Sequence, residues 1–214
     1  MSTSEFTDRL LQGLHLAAEA PEGRRLVDYF EGKGDPVPYA GSRFETYRPS
    51  DPGAIEPADL LAVTFLSIQI TLKRGLTPAA ILRLDRDRAT ISELLQQIPT
   101  GRPLGDLSSD EFETHLGSDS PATRLYELLR GLGLGRVTTY KLLARKRPEL
   151  LPIRDSVMES VVGKSKPWWK PWWEAMQDPA VLAAIDSLKS DAGSHAKDLS
   201  RLRVADIALW MSHH

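Results

Sequence analysis

The sequence predicts an all-α protein, a bundle of helices. Three observations lead there. Apolar residues recur at three- and four-residue spacing in several stretches, helix-start residues precede those stretches, and the chain lacks both period-two alternation and Asn-Gly or Asp-Gly hairpin signals. Residues 5–20 place Phe6, Leu10, Leu11, Leu14, Ala17 and Ala18 on one helical face. From Gly32 to Pro57, Gly34, Gly41 and Gly53 are scattered among Pro36, Pro38, Pro49 and Pro52, so an irregular connector is expected. Glu56-Pro57-Ala58-Asp59 then opens a uniformly apolar run, Leu60 to Leu72, read as a central core helix with an acidic start. Thr77-Pro78 caps a further helix through Leu84, and Ile91 to Ile98 forms another. Ser108-Ser109-Asp110-Glu111 caps a helix carrying Phe112 and Leu116. Residues 182–188 and 202–211 supply closing helices, with Trp210 expected to be buried.

This gives three regions. Residues 1–57 hold the first helix and the connector, 58–163 a helical domain with two helices around a glycine turn at 125–145, and 164–214 a tryptophan-rich segment with the closing helices. A chain of 214 residues, 41% apolar, is long enough to build its own core. It has no cysteine, which excludes disulfides, thiol nucleophiles, zinc-thiolate sites and cysteine-ligated iron–sulfur clusters. No cofactor and no metal site are expected. The polar start, and the lack of an apolar run near the roughly 18 residues of a membrane span, suggest a cytoplasmic protein without a membrane partner. A net charge of −2 argues against a protein that coats nucleic acid broadly, so any such contact must be local.

One segment offers such a contact. In Leu132-Gly133-Leu134-Gly135-Arg136-Val137-Thr138, two glycines bracket a leucine between two helical stretches. The glycines permit positive φ, Leu134 can tuck between the helices, and the amides opening the second helix stay available to an anion. A phosphate suits that position and makes no demand on base identity. From Arg124 to Arg154 eight basic residues, Lys141 among them, stand against Glu127 and Glu149, a local excess of six positive charges. The competing reading is an ordinary helix corner whose Arg145-Lys146-Arg147 complements a helix dipole.

At these residues the chain resembles the helix-hairpin-helix DNA glycosylases related to endonuclease III. Residues 132–139 resemble that family's hairpin, and Asp155, in Pro152-Ile153-Arg154-Asp155-Ser156-Val157, falls where the family has its essential aspartate. Leu66-Ser67-Ile68-Gln69-Ile70-Thr71 resembles the end of the helix whose glutamine, here Gln69, probes the space left by a flipped base. The resemblance spans roughly half the chain. Taken whole, the chain is also similar to an uncharacterised actinobacterial family of unknown function. The first resemblance implies an endonuclease III-like fold, DNA as partner, a role in DNA repair, and hydrolysis of the N-glycosidic bond of a modified or mispaired base. It assigns Gly133, Leu134, Gly135, Arg136, Val137, Thr138, Lys141 and Gln69 to DNA and Asp155 to catalysis. Bifunctional members carry a Schiff-base lysine where this chain has Val137, so a hydrolase without lyase activity is implied.

Other readings stay open beside these. Asp155 before Ser-Val-Met-Glu is a good helix cap, and Arg154 could draw it into a structural ion pair. A non-catalytic nucleic-acid-binding module, or a protein-interaction domain, fits the same scaffold. Gln69 could be a buried polar residue ending the core helix. In Lys164-Ser-Lys-Pro-Trp-Trp-Lys-Pro-Trp-Trp-Glu four tryptophans fall within six positions. They could stack on unpaired bases or pack in the core, where Trp168 and Trp172, like Trp169 and Trp173, share a helix face.

Overall fold

The computed structural model describes residues 2–22, 24–32, 38–72 and 76–213; Gly34 and Pro36 of the expected connector lie outside them. In chain order the α-helices are α1 (Thr3–Ala18), α2 (Leu26–Glu31), α3 (Pro57–Thr64), α4 (Pro78–Arg86), α5 (Arg88–Gln96), α6 (Ser109–Leu116), α7 (Pro121–Gly131), α8 (Arg136–Lys146), α9 (Ser156–Val162), α10 (Trp169–Ala175), α11 (Pro179–Asp191) and α12 (Arg201–Ser212). The described residues form no strand. One pair, Ile70 and Leu76, makes an isolated bridge, and the protein is all-α. Among the described residues no helix is long and apolar enough to cross a membrane.

Local chemistry starts most of these helices. Ser2, Thr77, Ser108, Ser120, Asp155, Asp178 and Ser200 each cap a helix by accepting a first-turn amide. Pro57, Pro78, Pro121 and Pro179 follow their caps directly, where a missing N–H costs nothing.

The chain divides into two compact units. The first joins residues 1–39, 103–106 and 152–214; the second joins 40–102 and 107–151. This differs from the three consecutive regions expected, because the N-terminal helix belongs with the C-terminal third of the chain.

In the first unit α1 buries Phe6, Leu10, Leu14 and Ala17 against α9, α10, α11 and α12. Leu11 is half-buried and Ala18 exposed, so the apolar stripe is narrower than the spacing implied. Gly13 permits the closest approach: a Cβ there would come within 2.6 Å of Leu209 and 2.8 Å of Val161. Helix α12 is buried from Leu202 to Leu209. Its Arg203 pairs with Asp206 and donates to the Tyr29 hydroxyl at 3.1 Å. Trp168, Trp169 and Trp172 are buried, and Phe6 meets Trp168 and Trp172 edge-on. These three tryptophans are therefore core rather than a surface for bases, while Trp173 is half-buried; Trp210, expected to be buried, is half-buried too.

In the second unit α5 packs on α7 and α3 on α8, with Ile91, Leu95, Leu125 and Leu129 at its centre. The expected core helix 60–72 is shorter. Helix α3 ends at Thr64, Ser67 turns at φ +62, and Ile70 and Leu72 are 52% and 87% exposed.

Candidate functional site

The turn between α7 and α8 lies in the second unit. Leu132 ends α7, Gly133 takes φ +99, and the Leu134 amide closes the turn on the Leu129 carbonyl at 3.3 Å. Leu134 is buried, as the spacing required. Only one of the two glycines needs its conformational freedom. Gly135 sits at φ −62, an ordinary extended N-cap that offers no side-chain acceptor to the first turn of α8. Arg136 is exposed, Val137 half-buried, and Thr138 and Thr139 are buried; the Thr139 hydroxyl returns to the Gly135 carbonyl at 3.1 Å. Two arginines clasp the turn's carbonyls. Arg130 Nη1 donates to Leu134 O, and Arg83, from α4, donates to Leu132 O at 3.2 Å.

The basic segment is not a solvated face. Lys141 is buried, with Nζ donating to the Leu66 carbonyl at 2.7 Å, so its ammonium points into the unit and not toward a phosphate. Arg145, Lys146 and Arg147 are buried as well. Arg145 Nε meets Asp59 Oδ1 at 2.8 Å, and its other nitrogens donate to the carbonyls of Phe44, Tyr47 and Arg48. Lys146 pairs with the same Asp59 and donates to Ser50 Oγ at 2.7 Å. Arg147 is satisfied by carbonyls, Ile98 at 2.9 Å and Pro52 at 2.8 Å among them. Consecutive helical residues turn about 100° each, so three in a row cannot all face one way. All three are buried because acceptors meet them from several directions: the 44–52 segment, Asp59, and the carbonyls of Leu95 and Ile98.

Burial alone would raise the Asp59 carboxyl, yet hydrogen bonds from Lys146, the Glu56 amide and Ser50 outweigh it and hold the group below its ordinary value. Burial pushes the Lys146 ammonium down, against the opposing pull of Asp59, and burial pushes Arg147 down too. Of the eight basic residues, Arg124, Arg130 and Arg136 stay exposed. The helix periodicity of α8 could have warned that Arg145-Lys146-Arg147 faces inward in part.

Gln69 is exposed. It lies in an extended stretch, its carbonyl accepting from Leu76 N at 3.4 Å, and so does not end a core helix.

Asp155 belongs to the first unit and caps α9. Its Oδ1 accepts from Val157 N at 3.1 Å and Met158 N at 3.0 Å, and the side chain is half-buried. Its neighbour Arg154 is buried, with Nε on Glu159 Oε1 at 2.7 Å and the guanidinium 4.7 Å from the Trp168 ring centre.

Neither the curated proteins nor the solved structures contain a match to this chain. The profile of a family of unknown function, DUF6308, matches residues 23–213. Since that span covers nearly the whole sequence, the chain belongs to this family.

Proposed function

We propose that this protein binds the backbone of duplex DNA through α7 and α8, read as a helix-hairpin-helix of the endonuclease III kind, and that Asp155 is the carboxylate of a monofunctional DNA N-glycosylase. The observation that carries the reading is the turn itself. Gly133 in the left-handed region, a buried Leu134 and an N-cap at Gly135 that brings no side-chain acceptor of its own are the features an anion site at the start of α8 requires. Arg136 is exposed beside them, and Arg83, missed by sequence reasoning, stands at the same turn.

With three or so exposed arginines near the turn, the electrostatic contact is small. Duplex affinity should fall about tenfold to a hundredfold between roughly 50 and 200 mM salt, with little sequence preference. A fluorescence-anisotropy titration checks this, and affinity indifferent to salt would sink the reading. The extended backbone of Gly135 is open to any residue, so Gly135→Glu should fold normally. Its carboxylate, set where a phosphate would lie, should abolish duplex binding. Unchanged affinity in the folded variant would move the binding surface elsewhere.

In the chemistry assigned to Asp155, the carboxylate offsets positive charge developing on the sugar and orients a water. Extruding the base costs least when it is damaged or mispaired. Val137 offers no amine for an imine, so the strand is left intact. A second reading has its own support: Asp155 Oδ1 already serves two amides of α9, which is all that a structural cap in a non-catalytic binder requires.

A further inference from the structure

Two features of the first unit take no part in the function proposed above: the tryptophan-rich segment and the buried cation Arg154. The geometry joins them. A guanidinium that is 4% exposed must be neutralised and bonded to persist. Two of the groups that meet that condition for Arg154 are a carboxylate and an aromatic ring. Glu159 accepts from its Nε at 2.7 Å, both side chains being more than nine-tenths buried, and the Trp168 ring lies 4.7 Å from the guanidinium carbon. Trp168 is itself buried and meets Phe6 and Trp172 edge-on.

Glu159 is one turn inside α9, the helix that Asp155 caps. The side chain of Arg154 is thus fastened at its far end to α9 and to the tryptophan cluster, while its backbone runs directly into Asp155. Rotation of the chain at 154–155 would tear the guanidinium from both partners. The Asp155 carboxylate itself accepts from Val157 and Met158. Glu159 neutralises the cation, so Arg154 can hold the backbone without a net charge beside Asp155.

We propose that Arg154, gripped by Glu159 and Trp168, is a positioning residue for Asp155, and that Trp168 serves the carboxylate and not a nucleic acid directly. The proposal rests on the reading of Asp155 as the hydrolytic carboxylate. Arg154→Met, Arg154→Lys and Glu159→Gln in the full chain test it with two readouts. One is single-turnover base release, with duplex Kd measured alongside on the same substrate. The other is hydrogen exchange of the Val157 and Met158 amides, which report the bonds to Asp155 without any need for activity.

Arg154→Met should lower base release by about tenfold or more, with Kd unchanged, since small misplacements at a reacting group are costly. The two amides should exchange about tenfold faster in the same variant. Arg154→Lys should recover part of both losses, and Glu159→Gln should show both losses to a smaller extent. If Arg154→Met does not fold, the milder Glu159→Gln carries the comparison. Unchanged amide exchange in a folded Arg154→Met overturns the proposal, whatever the activity. Faster exchange with full base release also overturns it and leaves the glycosylase reading standing. A wild type that releases no base from any substrate removes that reading and this proposal together.

Discussion

Asp59→Ala is expected to remove about 3–5 kcal/mol from the stability of the unit built on α3 and α8. Asp59 is fully buried and is shared by Arg145 and Lys146; its Oδ2 also takes the Glu56 amide at 2.8 Å at the start of α3. Without it two cations stay buried with carbonyls and a hydroxyl, and only the half-buried Glu56 still acts on Lys146 as a counter-charge, which costs more than the pair itself contributes. Against a total of about 5–15 kcal/mol the loss is large. Urea titration followed by far-UV circular dichroism measures it. Tryptophan fluorescence does not serve, because all five tryptophans fall in residues 152–214 of the other unit. The pH dependence has a definite sign. A carboxylate lowered in the folded state stabilises above about pH 4 and loses that contribution as pH falls through its lowered value. Wild-type protein should therefore lose stability from this source only below about pH 4, and Asp59→Ala should lack that component. A cost under about 1 kcal/mol for Asp59→Ala would contradict the buried cluster.

Asp155→Asn should abolish base release, lowering it by about a hundredfold to ten-thousandfold, while duplex binding is retained. The amide keeps the shape and the oxygen that accepts from Val157 and Met158, so the cap survives and only the negative charge is lost. The assay is a panel of duplexes with alkylated, deaminated or oxidised bases, incubated with wild type and variant. Wild type should yield a free base and an intact abasic strand that breaks only on added alkali, since Val137 cannot form the imine that nicking requires. If wild type releases nothing from the panel yet still binds the duplex, Asp155 is a cap and the protein a binder.

Helix starts were the most legible part of this fold. The caps at Thr77, Ser108 and Asp155 could be read directly, because a short polar side chain before a proline or an acidic first turn acts within three residues. The run 60–72 was misread for the opposite reason. Its high apolar content hides a change of period: Leu66-Ser67-Ile68-Gln69-Ile70-Thr71-Leu72 alternates apolar and polar residues, and Ile68, Ile70 and Thr71 are β-branched, both of which suit an extended chain. The glycine turn of 132–135 was legible with its buried leucine. The fate of the basic residues was not, since Arg145 and Lys146 find their acceptors near positions 44–52 and 59, far away in sequence. Arg83 left no trace either: its partner Leu132 is 49 positions on, and no local pattern spans that distance.

The first unit is assembled from both ends of the chain, and this has a consequence for how the protein is made. On a ribosome α1 emerges well before its partners, since the helices that cover Phe6, Leu10 and Leu14 begin only at Ser156. At about 5–20 residues per second, the wait is on the order of ten seconds. Residues 40–102 and 107–151 are complete well before then, so the second unit can fold while the first helix still shows its apolar stripe. During that interval α1 is the segment most open to chaperones, and stalled synthesis before residue 156 leaves it without a partner.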